Sequence, residues 1–226
     1  MLINQAKYLE IIQQLEEKKV VLVAVSKTKP VEAIKELYDL GHRDFGENYV
    51  QELLEKQEQL PKDIRWHFIG HLQTNKVKYI APFVHLVHGV DSVRLLKEIN
   101  KEAKKNNRTI DVLLQVHIAE EETKFGMDEN ELNELLFTNP AELYELTNTT
   151  INGLMGMASF TDDSEKIRRE FRHLKSLFDI YVKSQTQNSK FEILSMGMSS
   201  DYAIAIEEGS NMVRIGSLIF GERQYN

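Results

Sequence analysis

The sequence predicts an α/β protein, a (β/α)8 barrel with one extra helix in front of it. Three observations predict it. Short apolar, β-branched runs alternate with amphipathic stretches along the whole chain, which implies parallel strands joined by right-handed crossovers. The runs number about eight, with a helical pattern after nearly every one, as a closed barrel requires. The first run ends in Ser26-Lys27-Thr28-Lys29-Pro30. It lacks the glycine-rich turn of the rival open doubly wound sheet.

In chain order, Asn4–Glu17 carries Leu and Ile at helical spacing and forms the extra helix. Val20–Ser26 is a continuous apolar run, read as a strand buried on both faces. Pro30 opens the helix Val31–Leu40, because proline suits the first helical position. His42–Gly46, Arg65–Gly70, Leu86–Val90 and Ile110–Ile118 read as the next four strands. The last three are Ile151–Ala158, Phe191–Ser195 and Met212–Ile215. Helical patterns fill the gaps at Asn48–Gln59, Asn75–Ile80, Ser92–Lys105, Asp128–Leu146, Ser164–Lys183 and Ser200–Glu208. No linker, repeat or low-complexity segment interrupts the 226 residues, and prolines number only 4. Residues 1–226 are therefore expected to form one domain.

Composition narrows the function. A net charge of −7 argues against a nucleic-acid footprint. The basic stretches Lys101–Lys105 and Lys166–Arg169 sit among glutamates and read as solvated helix faces. Cysteine is absent, which excludes disulfides, thiolate catalysis and Cys-ligated metals. Met1–Lys19 lacks the apolar core of a signal peptide, and no run approaches membrane-spanning length. A cytoplasmic protein is expected, with no membrane partner. His67 and His71 straddle a strand end instead of sharing a helix face, and His85 and His88 have no carboxylate cluster beside them. They read as structural histidines, with no metal site. Met155, Met157, Met196 and Met198 are spaced for barrel lining. Glu120-Glu121-Glu122 reads as a loop.

In a barrel the chemistry belongs at the carboxyl ends of the strands, where Lys27 ends the first strand. A lysine held there can have a lowered pKa and form a Schiff base. An ordinary solvated strand-end lysine is the competing explanation, and this segment leaves both open. After the seventh strand comes Ser195-Met196-Gly197-Met198-Ser199-Ser200, and after the eighth Gly216-Ser217. Loops in those places commonly hold phosphate, through hydroxyls and closely approaching backbone N–H groups. Helix capping alone would also account for either loop. A strand-one lysine with a late phosphate cradle suits an aldehyde that bears a phosphate: pyridoxal 5′-phosphate, or the substrate of a phosphosugar aldolase.

Specific strings carry the reading further. Ala24-Val25-Ser26-Lys27-Thr28-Lys29-Pro30 is followed by Phe45-Gly46-Glu47-Asn48-Tyr49-Val50-Gln51-Glu52 and Trp66-His67-Phe68-Ile69-Gly70-His71-Leu72-Gln73-Thr74-Asn75-Lys76. Then come Lys124-Phe125-Gly126, Gly153-Leu154-Met155-Gly156-Met157, Leu194-Ser195-Met196-Gly197-Met198-Ser199 and Val213-Arg214-Ile215-Gly216-Ser217-Leu218-Ile219-Phe220-Gly221. In this order, from about Val20 to Gly221, they closely resemble the pyridoxal phosphate homeostasis protein family, also called proline synthase co-transcribed homologues.

The resemblance implies an alanine-racemase N-terminal-domain-like barrel without the racemases' second domain. It implies Lys27 as the imine-forming residue; Lys29, two residues on, is the internal competitor that spacing alone does not exclude. It places Ser199, Ser200, Gly216 and Ser217 on the phosphate and Arg214 against the pyridine nitrogen. Asn48 and His67 are implied as pocket residues without a stated chemical role. A guanidinium beside the ring nitrogen disfavours its protonation and weakens the cofactor as an electron sink. The implied function is intracellular buffering or delivery of pyridoxal 5′-phosphate by a monomer, with apo-enzymes as recipients and no significant catalysis. A weak amino-acid racemase is the alternative, with Tyr49 or Tyr202 as a second proton donor.

Overall fold

The computed structural model describes residues 2–120, 125–138, 141–183 and 189–222. Eight parallel strands close into a barrel in the order β1 to β8, with β8 returning to β1. The strands are β1 (Val21–Val25), β2 (Asp44–Glu47), β3 (Arg65–Phe68), β4 (Leu86–Val90), β5 (Ile110–Val116), β6 (Thr149–Gly156), β7 (Ser189–Ser195) and β8 (Met212–Ile215). Around them run α1 (Gln5–Glu17), α2 (Val31–Asp39), α3 (Val50–Gln59), α4 (Val77–Ile80), α5 (Val93–Lys105), α6 (Glu129–Asn133), α7 (Ala141–Tyr144), α8 (Ser164–Val182), α9 (Tyr202–Glu207) and α10 (Ser217–Phe220). No helix among the described residues is long and apolar enough to cross a membrane.

Strand alternation sorts the side chains into two layers. Leu22 and Ala24 of β1, with Val213 and Ile215 of β8, join the large core between barrel and helices. Val23, Leu86, Leu113, Met155 and Met212 pack together inside the barrel. Each fully buried aliphatic side chain stabilises the fold by roughly 1.5–3 kcal/mol. The extra helix α1 buries Tyr8, Ile11 and Leu15. Its entry is fixed by the Asn4 side chain capping Lys7 N–H and by the Asn4 N–H donating to Ile219 O at 2.7 Å.

Most elements lie where the pattern put them, and the departures have local causes. His42 and Arg43 precede β2 because the buried His42 ring turns back, its Nε2–H donating to Asp44 O at 2.8 Å. β3 stops at Phe68, before Gly70. A Cβ on Gly70 would lie 2.5 Å from Asn48 O, so only glycine lets these two loops approach.

The long helix expected over Asp128–Leu146 is divided. Asp128 and Glu131 form a capping box that starts α6, a π-helical turn follows over Glu134–Thr138, and α7 is separate. The sequence carries Pro140 between the two pieces, and a proline, which has no N–H to donate, is a poor fit to a helix interior. Asn139 and Pro140 themselves lie outside the described residues, as do Glu121, Glu122 and Lys124.

Candidate functional site

A cleft of about 440 Å³ opens at the carboxyl ends of the strands. Lys27, Asn48, Ser199, Ser200, Arg214, Gly216 and Ser217 all line it, with Lys29 at one side. His67 does not. It is buried in the barrel and faces a separate opening of about 210 Å³ beside Asp44, Arg65 and His85, where strands begin. The alternation of β3 puts His67 on the inner face, but below the cleft floor.

Lys27 reaches the cleft because its neighbour turns the other way. Ser26 is fully buried and donates its hydroxyl to Glu47 Oε1 at 2.6 Å, on the helix side of the barrel. One residue on, the half-buried Lys27 side chain enters the cleft. The backbone is held on both sides of it. Ser26 O accepts from Lys56 Nζ at 2.7 Å, and Thr28 N–H donates to Glu52 Oε1 at 2.5 Å. Thr28 sits at φ 63, a left-handed conformation costly for a β-branched residue. The Glu52 contact, with Lys29 N–H to Ser26 O at 3.0 Å, holds this turn. Lys29 Nζ donates to Gly221 O and Glu222 O at 2.9 and 3.0 Å, which ties it to the chain after α10.

The Glu47–Lys56–Glu52 cluster beneath this turn escaped the sequence reading. Lys56 Nζ donates to Glu47 Oε1 at 2.7 Å and Glu52 Oε1 at 2.6 Å, and Lys56 and Glu47 are buried. The available signal was Glu52 four residues before Lys56 on one helix, directly after a strand-end glutamate. Burial pushes the Glu47 carboxyl up to about 7, outweighing the pull of Lys56 and Ser26 in the other direction. Its Oε2 has no hydrogen-bond partner among the described residues.

Between about pH 4.5 and 7, the folded chain therefore keeps a proton that the unfolded chain has shed. This contribution to stability is full at the acid end, is lost as pH rises through the window, and levels off above it. The expected slope is at most about 1.4 kcal/mol per pH unit. Urea unfolding of the wild type and Glu47→Gln from pH 5 to 8 checks it. The difference between their stabilities must change with pH in that direction, and a constant difference refutes the assignment.

Arg214 is buried on the inner face of β8. It donates to Ser195 O at 2.9 Å, Ser195 Oγ at 2.7 Å and Gly156 O at 3.0 Å. A guanidinium has further N–H groups, and these remain for a ligand in the cleft that Arg214 lines. Burial lowers its pKa to about 10, so it stays cationic at neutral pH. Ser199 Oγ accepts the Gly216 N–H at 3.2 Å and joins the two late loops. A Cβ on Gly216 would lie 3.0 Å from Val25 O, so glycine lets β8 end tightly against β1. The Asn48 side-chain oxygen is buried without a hydrogen-bond partner among the described residues. Such an atom calls for a donor.

The remaining candidates lie elsewhere. His71 Nδ1 meets Asp91 Oδ2 at 2.9 Å and its ring stacks on Phe125 at 4.1 Å. It does not converge with His67. Tyr49 is exposed and lines an adjoining cleft of about 490 Å³, which shares Asn48, while Tyr202 packs against the outer core. Neither tyrosine lines the cleft of Lys27.

The family described as alanine racemase, N-terminal domain, matches residues 5–224. A pyridoxal phosphate homeostasis protein of Aquifex aeolicus (strain VF5) is 46% identical over 205 residues, covering 90% of this chain and 87% of that protein. One from Escherichia coli (strain K12) is 38% identical over 211 residues, covering 92% and 87%. Among solved structures, PipY of Synechococcus elongatus PCC7942 with pyridoxal phosphate bound superposes with a TM-score of 0.82 at 33% identity, covering 94% of this chain and 99% of that one. An alanine racemase of Clostridium difficile 630 shares the fold alone, with a TM-score of 0.73 at 16% identity over 96% of this chain and 56% of its own length. The short relatives are matched nearly end to end and the racemase over about half. The chain belongs to the pyridoxal phosphate homeostasis protein family.

Proposed function

We propose that this protein binds pyridoxal 5′-phosphate in the Lys27 cleft and buffers or delivers it in the cytoplasm, as a one-domain monomer that supplies apo-enzymes. One observation carries the reading: an inward lysine, a buried arginine with N–H groups to spare and two joined serine–glycine loops meet in one cleft. They fit the group's chemistry. Its aldehyde offers the carbon for covalent attachment to a lysine amine. Lys27 supplies that amine, and Ser199, Ser200 and Ser217 with the backbone of the Gly216 loop supply donors for a phosphate. Arg214 opposes a proton on a ring nitrogen placed against it. The unpartnered oxygen of Asn48 offers an acceptor at the rim. His67 is left out of this set, since it lies below the floor.

The relatives are named as homeostasis proteins, and that supports a carrier. Two-base racemisation needs a second acid or base within hydrogen-bond reach of the transferred proton. Tyr49 and Tyr202, the tyrosines considered for it, lie outside the cleft.

Equilibrium titration with pyridoxal 5′-phosphate, pyridoxal and inorganic phosphate tests the proposal. Tight binding of the first is expected, with pyridoxal weaker by a factor of ten or more for want of charge-assisted phosphate contacts, on the order of 1.5–3 kcal/mol. Ser199→Ala is expected to weaken the phosphorylated ligand about ten-fold and to leave pyridoxal within about two-fold. Equal loss for both ligands would place Ser199 off the phosphate. No binding of pyridoxal 5′-phosphate by the wild type would defeat the proposal.

A further inference from the structure

The barrel interior holds a continuous polar path from the Arg214 floor of the cleft to the opposite mouth. Arg214 Nη1 lies 2.7 Å from Ser195 Oγ, which lies 3.2 Å from His88 Nδ1. His88 Nε2 lies 2.9 Å from His67 Nδ1, and His67 Nε2 lies 3.1 Å from Asp44 Oδ1. His67, His88, Ser195 and Arg214 are 0–3% exposed. Asp44 begins β2, faces the strand-start opening and is paired with Arg65 Nε at 2.6 Å.

The chemistry of the two ends fixes the direction of the path. A guanidinium only donates and a carboxylate only accepts. Ser195 Oγ takes an N–H from Arg214, so its own proton needs an acceptor. The one described for it is His88 Nδ1. The His88 proton is then on Nε2 and is donated to His67 Nδ1. The His67 proton is on Nε2 and is donated to Asp44. Every link is satisfied with both rings neutral. Complete burial holds His88 well below the usual histidine range, in keeping with a neutral ring.

The reverse arrangement requires a cationic His67. It also leaves the Ser195 hydroxyl proton without an acceptor among the described residues, at a fully buried position. Buried polar groups are rarely left in that condition.

We propose that His88 and His67 are positioning residues for Arg214, forming a one-way hydrogen-bond relay anchored on Asp44 at the far mouth of the barrel. The relay turns the Ser195 oxygen toward Nη1 and holds the guanidinium with its remaining N–H groups toward the cleft. Its effect on cofactor binding rests on the function proposed above, whereas its direction does not.

Two measurements on the full chain test it. Long-range ¹H–¹⁵N spectra of the ligand-free wild type should show His67 and His88 neutral, each with its proton on Nε2. A cationic His67, or a His88 proton on Nδ1, overturns the relay. Pyridoxal 5′-phosphate binding should weaken about 3–10-fold in His88→Leu and in Asp44→Ala, and the absorbance maximum of the bound cofactor should shift. The amide of His88→Gln can accept from Ser195 and donate to His67, and should return affinity to within about two-fold of wild type.

Unchanged affinity and absorbance in folded His88→Leu and Asp44→Ala overturn the positioning role, as does a Gln variant no better than Leu. If a variant does not fold, the wild-type tautomers decide the matter. A wild type that binds no pyridoxal 5′-phosphate overturns the proposed function, and the role in binding with it. The tautomers still report separately whether the relay exists.

Discussion

Lys27→Ala abolishes the borohydride-reducible adduct with pyridoxal 5′-phosphate and leaves the fold intact. The two parts have separate causes. Lys27 and Lys29 both border the cleft, but Lys29 Nζ is committed to two backbone carbonyls. Moving it to the ligand breaks both contacts, each worth about 0.5–1 kcal/mol at this exposed position. Substitution by Lys29 is therefore expected to be several-fold less effective. The Lys27 side chain is half-buried and lies outside both apolar clusters. Its truncation should change stability by no more than about 1 kcal/mol, or about 2–4 °C in Tm for a chain of this size. Mass spectrometry after borohydride reduction, with a thermal melt, reads both. An adduct at wild-type level in Lys27→Ala would transfer the role to Lys29.

The largest effect on stability is expected beneath the same turn. Lys56→Met removes the ammonium that holds Glu47, Glu52 and the Ser26 carbonyl together. Breaking a buried ion pair by removing one partner costs about 3–5 kcal/mol. Glu47 already titrates at about 7 and can neutralise itself by taking a proton, which favours the lower figure. A loss of about 3 kcal/mol corresponds to roughly 6–12 °C in Tm. Replacing both members, Glu47→Leu with Lys56→Met, should recover much of that loss, because it leaves no uncompensated charge. Since Glu52 also holds the Thr28 N–H, the single variant should bind cofactor more weakly as the Lys27 turn loosens. A melt within about 1 kcal/mol of wild type would show that this cluster does not hold the turn.

The barrel was legible because its strands are buried on both faces and its helices on one, which leaves short continuous apolar runs between stretches of helical period. β4 and β8 have the bounds that the apolar runs gave. The strand-end position of Lys27 was legible as well, whereas Arg214 was placed by the family resemblance. The short turn Ser217–Phe220 was too brief to leave a period of its own.

What the sequence did not disclose depends on contacts across the barrel. His88 and Ser195 are 107 residues apart, and His67 and His88 are 21 apart on neighbouring strands. Their pairing follows from barrel register, which no local pattern encodes. The family resemblance implied His67 as a pocket residue together with Asn48. Depth along the strand separates them: Asn48 follows a strand and His67 lies within one. The Glu47–Lys56 pair was hidden for a related reason, because the glutamate's direction depends on how α3 packs over the end of β2.

The most direct measurement is the absorbance spectrum of the purified protein with pyridoxal 5′-phosphate, before and after borohydride, followed by peptide mapping. A visible band that bleaches on reduction is expected, with a stable adduct on the peptide carrying Lys27. A protein that stays colourless after addition of the cofactor, or an adduct confined to other lysines, would contradict it.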